Sequence, residues 1–152
     1  MRIVLLCVAA GLALAGCSSG LTVRYNVTAT STADAGEAAA IISAYRVSRG
    51  LSPVTVDSQL NRAALHQVKT VAAAGELDHG DFGSRMEQYA IMGHSAENLS
   101  AGSSTVAGAV SQWKASSGHN RNLLLPQARK IGLARAEADG GYKHYWALVL
   151  GQ

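Results

Sequence analysis

The stretch "KIGLARAEADGGYKHYWALVLG", residues 130–151, decides the fold class of this protein. Two apolar arms, "KIGLARAE" and "YKHYWALVLG", flank "ADGG" at 138–141, a sequence typical of a tight turn. The second arm is rich in aromatic and β-branched residues, which favour strands. The chain is therefore predicted to end in an antiparallel β-hairpin.

The residues before this hairpin have a helical period instead. Apolar side chains recur three and four positions apart, and residues that favour helix ends separate the segments. The predicted helices are 36–50, stopped by Gly50; a long helix from the N-cap Asp57 to Gly75; a shorter one over 84–90; and one carrying Val106, Ala109, Val110 and Trp113 that closes at Gly118. Several helices and a terminal hairpin predict an α+β domain.

The N-terminus has the pattern of an export signal. Arg2 precedes an uncharged run from Ile3 to Gly16, which would make a helix of roughly 21 Å, short of the ~30 Å hydrocarbon core. Residues 1–17 are therefore predicted to be a signal peptide. Its end, "LAGC", resembles a bacterial lipoprotein box, which implies that Cys17 is acylated; a plain secretory signal is the alternative. Ser18 and Ser19 follow where a retention aspartate would stand, and by resemblance this favours the outer membrane.

Residues 18–37 are small and rich in Ser and Thr, and are predicted to be a flexible tether before a domain at 38–152. Removal of the signal would also remove Cys7 and leave only the lipid-bearing Cys17, so disulfides are excluded. The 13 Lys and Arg residues become 12 without Arg2, against 10 Asp and Glu. This charge is too weak and too scattered for a nucleic-acid partner.

The chemistry must be sought among five histidines. His66 lies inside the long helix and His144 in the final strand, so both are interpreted as packing or surface residues. His79, His94 and His119 follow or precede Gly, Ser, Asn and Asp in predicted loops, where functional side chains concentrate. Spacing alone leaves open whether these three meet in space.

Four stretches, in this order, resemble the CAP or SCP domain superfamily, which includes pathogenesis-related and cysteine-rich secretory proteins. They are "AYRVSRGLSPVTVDSQLNRAALHQVKTVAAAGELDHG", "AENLSAG", "QWKASSGHNRNLLLPQARKIGLARA" and "YKHYWALVLGQ". The resemblance covers residues 38–152 and is closest to the bacterial, disulfide-free branch. It implies a three-layer α-β-α sandwich with an antiparallel central sheet.

The family's hallmark is a cleft of two histidines and two acids that can bind zinc or another divalent cation. The resemblance implies that the two histidines are His79 and His119 and that one acid is Glu97. The second acid would fall on Ser116, so it is missing here. His94 lies outside the motif. Two imidazoles and one carboxylate can hold Zn²⁺ and leave a position for water. A hydrogen-bonded cluster without metal is the alternative.

Three classes of function remain. The favoured one is a membrane-anchored, extracytoplasmic binding module whose cleft holds a divalent metal, or a lipid, peptide or cell-wall ligand. A metal-dependent hydrolase of peptide or cell-wall material is the second, although a general base is not evident, so the sequence leans against an enzyme. A structural lipoprotein is the third. In each case the expected location is the cell envelope, lipid-anchored, in the outer membrane facing the periplasm or the cell surface.

Overall fold

The computed structural model describes residues 23–152. The predicted signal peptide, the predicted acylation site Cys17 and residues 18–22 of the predicted tether lie outside the described residues. Within 23–152, no helix is both long enough and apolar enough to cross a membrane.

One sheet forms the centre of the described domain. Its strands are β1 (Val27–Ser31), β2 (Thr55–Val56), β3 (Ser95–Ala101), β4 (Lys130–Ala138) and β5 (His144–Gly151). Their main path is β1–β4–β5–β3, with antiparallel neighbours, and the short β2 runs parallel to the beginning of β4. The predicted terminal hairpin is confirmed as β4 and β5, paired from Lys130 opposite Gly151 to Glu137 opposite His144.

Helices cover both faces of the sheet. They are α1 (Ala35–Val47), α2 (Ser58–Ala74), α3 (Phe82–Gln88), α4 (Val106–Ala115) and α5 (Ser117–Leu123). Side chains of α1, α4 and α5 pack with one face of β5, which presents Trp146, Leu148 and Leu150. Side chains of α2 and α3 pack with the other, which presents Tyr145, Ala147 and Val149. This alternation gives the expected three-layer α-β-α sandwich.

The ends of α2 match the local signals in the sequence. The Asp57 carboxylate accepts hydrogen bonds from the backbone nitrogens of Gln59 and Leu60, at 2.8 and 3.0 Å. Gly75 ends the helix with a positive φ of 74°. The first turn of α2 lies so close to β4 that a β-carbon at Gly132 would overlap the Leu60 backbone.

The tether prediction is wrong for residues 27–37. Residues 27–31 form β1, which pairs with β4, and α1 already begins at Ala35. Tyr25 is also held, because its backbone nitrogen donates to the Ala73 carbonyl at 2.9 Å. A short Ser/Thr-rich edge strand has little apolar alternation, so its local sequence resembles a linker.

Two helix predictions need correction as well. The predicted helix over 84–90 lies at Phe82–Gln88, because the Asp81 side chain caps it and Ala90 has a positive φ of 53°. The helix that carries Trp113 does not continue to Gly118. It ends at Ala115, the backbone is extended at Ser116, and a separate helix, α5, includes Gly118.

Candidate metal site

Glu97 is a buried carboxylate in the middle of β3. Its side chain is only 2% exposed, and its backbone lies opposite Val149 of β5. Burial of an ionised carboxylate is unfavourable unless charged or hydrogen-bonding groups satisfy both oxygens. The surroundings of Glu97 supply both partners.

Arg85 and His79 each occupy one oxygen of this carboxylate. The Arg85 Nη2 atom donates to Oε2 at 2.7 Å, and the His79 Nδ1 atom lies 2.8 Å from Oε1. An ionised carboxylate can only accept, so Nδ1 of His79 carries the proton and donates it. In the neutral imidazole, Nε2 of His79 then carries no proton and can bind a metal, and the His79 side chain is 52% exposed.

The loop that carries His79 is fixed by its own polar residues. Both terminal guanidinium nitrogens of Arg85 donate to the His79 carbonyl at 3.2 Å. Asp78 accepts from the Gly80 backbone nitrogen, and Asp81 accepts from the backbone and hydroxyl of Ser84. The two bonds from Ser84 lower the pKa of Asp81. The aspartates on either side of His79 therefore form a turn and a helix cap.

His119 lies on α5, next to the strand that carries Glu97. Asn98 of β3 donates to the His119 carbonyl at 3.0 Å, and the Asn122 amide donates to the Glu97 carbonyl and to the Asn98 side-chain oxygen. These bonds attach α5 to the strand that carries Glu97. His119 is half-buried, and burial lowers its pKa, with a further contribution from the nearby charge of His79.

Ser116, at the position of the missing second acid, lies at the junction of α4 and α5. It is half-buried, and its extended backbone, with ψ of 123°, separates the two helices. Its carbonyl accepts the backbone hydrogen bond of Asn120 at 2.8 Å. It stands three residues after Trp113, where the resemblance to the family places the second acid.

The remaining histidines occupy other environments. His94 is exposed in the turn before β3, where its backbone nitrogen donates to the Gln152 side chain at 3.1 Å. His144 begins β5, and His66 lies on the exposed face of α2 against Tyr89.

The structure thus brings His79 into contact with Glu97 and attaches α5, which carries His119, to the strand of Glu97. Within residues 23–152, no three His, Cys, Asp or Glu side chains are already arranged around a common metal position. Sequence reasoning missed Arg85, which is 7% exposed and pairs with Glu97. A lone cation on a short predicted helix gives no sign of such a partner.

Comparison with known proteins now identifies the class. The model of the cysteine-rich secretory protein family, CAP, matches residues 40–150. This protein therefore belongs to the CAP family.

Particular relatives agree with this assignment. The chain is 28% identical over 104 residues to the uncharacterized protein YkwD of Bacillus subtilis; the match covers 64% of this chain and 40% of YkwD, so it spans less than half of that relative. Among solved structures, an outer surface protein from Borrelia burgdorferi matches with a TM-score of 0.69 at 20% identity, over 78% of this chain and 92% of that one. An extracellular protein containing an SCP domain from Bacillus anthracis matches with a TM-score of 0.66 at 21% identity, over 76% and 39%. These similarities establish the fold.

Proposed function

We propose that this protein is a lipid-anchored, extracytoplasmic CAP-domain binding module that holds a divalent cation through His79 and His119. Glu97 takes part by orienting His79. The observation that carries the proposal is the hydrogen bond between Glu97 and Nδ1 of an otherwise exposed imidazole. Histidines that ligate metals commonly donate their other ring nitrogen to a carboxylate, which fixes the tautomer and the ring orientation.

The donor set is compatible with zinc. Neutral imidazole is a preferred zinc ligand, and two such ligands leave positions for water or for a ligand of the module. Direct ligation by Glu97 is less favourable, because its side chain is only 2% exposed and each of its oxygens already accepts a hydrogen bond shorter than 3 Å. The indirect role explains why a buried carboxylate stands behind an exposed histidine.

The same geometry favours binding over hydrolysis. A hydrolytic site needs a general base within hydrogen-bond reach of a water molecule. The Glu97 side chain is only 2% exposed and each of its oxygens already accepts a hydrogen bond, and Ser116 stands at the position of the second acid of the family motif. The metal, when bound, would supply a Lewis acid, and the two aspartates beside His79 serve in a turn and a helix cap.

Calorimetric titration with Zn²⁺ tests the metal proposal. Wild-type protein without the signal peptide is expected to bind one ion, and His79→Ala and His119→Ala to abolish this binding. The matched controls His94→Ala and His144→Ala should leave it unchanged. Glu97→Gln should weaken binding about 10- to 100-fold without abolishing it, as removal of an orienting partner does.

Two outcomes would contradict the metal proposal. Absence of stoichiometric binding by the wild type at neutral pH would favour the hydrogen-bonded cluster without metal. Loss of binding in His94→Ala, with binding intact in His119→Ala, would show that the family motif had been carried over to the wrong residues.

Ser116→Glu should tighten binding, because it restores an acid at the position where the family has one.

The anchoring part of the proposal rests on "LAGC" at residues 14–17. Two of the structurally similar proteins are described as outer surface and extracellular, which supports a location outside the cytoplasm. The cell-made protein should partition with membranes, and Cys17→Ser should release or mislocalise it. An intact mass that corresponds to an unmodified Cys17 would contradict lipid anchoring.

A further inference from the structure

A second group of polar side chains lies on the outer face of α2, away from the site just described. Arg62, His66 and Lys69 are four and three positions apart, so they share one stripe of the helix. The α2 sequence, from Ser58 to Ala74, contains no Asp or Glu. This stripe is therefore a row of basic and potentially basic groups without an acidic neighbour on the same helix.

Tyr89, directly after α3, converts this stripe into one wall of a cavity. Its ring meets the His66 ring edge-on, with centroids 5.9 Å apart, and its hydroxyl shares a 3.3 Å hydrogen bond with Nδ1 of His66. The cavity has a volume of about 410 Å³, within the usual range for small-molecule sites. Its lining consists of Arg62, Leu65, His66, Lys69, Thr70 and Tyr89.

The charges of this cavity are uncompensated. Among residues 23–152, neither Arg62 nor Lys69 lies within 4.0 Å of a carboxylate. The Tyr89 and Leu65 side chains contribute apolar surface to the same cavity. A ligand with complementary chemistry would have a flat or extended apolar body and one anionic group.

We propose that this cavity is a binding site for a small amphipathic anion, a molecule with an apolar body and a carboxylate, sulfonate or phosphate group. The anionic group pairs with Arg62 and Lys69, and the body packs on Tyr89 and Leu65. Charge-assisted hydrogen bonds to a guanidinium and an ammonium provide the selectivity for anions. His79, Glu97 and His119 are absent from the lining, so this site is independent of the proposed metal site.

The test compares two fluorescent probes of nearly the same shape. 1-Anilinonaphthalene-8-sulfonate is anionic, and N-phenyl-1-naphthylamine is the same ring system without the sulfonate. The folded protein should bind one sulfonate probe. Arg62→Gln and Lys69→Gln should each weaken this binding up to about fivefold, the range of a solvent-exposed ion pair, and leave the neutral probe within about twofold.

Lys114→Gln is the matched control. It makes the same change in net charge on α4, in the opposite helical layer, and should leave both affinities unchanged. Because Arg62 and Lys69 are exposed, their variants should keep the wild-type unfolding midpoint. Tyr89→Ala should weaken both probes.

Three results would overturn the proposal. One is equal loss of sulfonate binding in Lys114→Gln, which would show a general effect of net charge. The second is equal affinity for the two probes. The third is a protein that does not bind the free sulfonate probe but binds vesicles containing phosphatidylglycerol, with vesicle binding dependent on Arg62 and Lys69. This result would make the face a membrane contact instead.

Discussion

At the scale of single residues, the central feature is a carboxylate that the sheet buries and two neighbours then satisfy. Glu97 has Arg85 on one oxygen and His79 on the other. Arg85 is nearly as buried as Glu97, so this ion pair is shielded from solvent, whereas the His79 side chain is half exposed. The ion pair thus supports the position of the histidine.

Removal of Arg85 should be costly. Arg85→Met would leave a buried carboxylate without its cation, a change that typically destabilises a protein by about 3–5 kcal/mol. Urea denaturation should show a large loss, and the double variant Arg85→Met/Glu97→Gln should recover part of it because the buried charge is gone. A loss below about 1 kcal/mol in the single variant would show that the pair is more hydrated than its burial indicates.

The family motifs predict His79 and Glu97 as neighbours in one site, and the structure places their side chains in contact. Arg85 was not predicted, because its contact with Glu97 depends on how the α3 segment folds back over β3. Twelve residues separate the two along the chain, and no local pattern marks the pairing.

At the scale of elements, α4 and α2 pack against opposite faces of the sheet, one in each helical layer. Trp113 of α4 is fully buried, and its Nε1 atom donates to the Leu99 carbonyl of β3 at 3.0 Å. The apolar stripe predicted for that helix is confirmed, because Val106, Ala109, Val110 and Trp113 are all buried. The indole hydrogen bond also holds α4 against the strand that bears Glu97.

Trp113→Ala should therefore destabilise the domain by about 3–5 kcal/mol, as other large buried truncations do. Chemical denaturation measures the loss. Trp113→Phe should cost less, because it keeps most of the apolar volume and loses the indole hydrogen bond. A cost below about 1 kcal/mol for the alanine variant would mean that the side chain is not in the core.

Gly132 sets the distance between α2 and β4. Any side chain there would meet the backbone of Leu60 and Asn61 rather than a flexible group, so the helix would have to move. Gly132→Ala should destabilise by about 1–3 kcal/mol through overpacking. Gly36→Ala is the matched control, because the space around that helical position is open, and thermal unfolding should show no loss there. Equal stability of both variants would contradict the close contact.

The elements that could be predicted are those with local signals. The Asp57 cap and the Gly75 terminus of α2 are decided by nearest neighbours in the chain. β1 could not be predicted, because its strand conformation depends on pairing with β4 more than 100 residues away, with Val27 opposite Ala138. The break at Ser116 was missed for a similar reason, since α5 is held by contacts with β3.

At the scale of the whole molecule, the titration of His119 should make the free energy of unfolding depend on pH. Burial, and then the charge of His79, lower the pKa of His119 in the folded protein. The unfolded chain therefore binds more protons just below the ordinary histidine pKa of about 6.5, and stability should fall as pH decreases through this range.

Denaturation at several pH values, with a chelator present, measures this dependence. His119→Gln should flatten the slope of stability against pH below about 6.5, whereas His94→Gln should not. An unchanged slope in His119→Gln would show that this histidine titrates alike in the folded and unfolded chains.

The most direct test of the account is long-range ¹H–¹⁵N NMR of the imidazole rings, because it reports tautomer and metal ligation at each nitrogen. Without metal, we expect His79 to carry its proton on Nδ1, facing Glu97. With Zn²⁺, the Nε2 signal of His79 and a ring nitrogen of His119 should shift, and those of His66, His94 and His144 should not. A proton on Nε2 of His79 in the metal-free protein, or a zinc-induced shift confined to the other three histidines, would contradict the account.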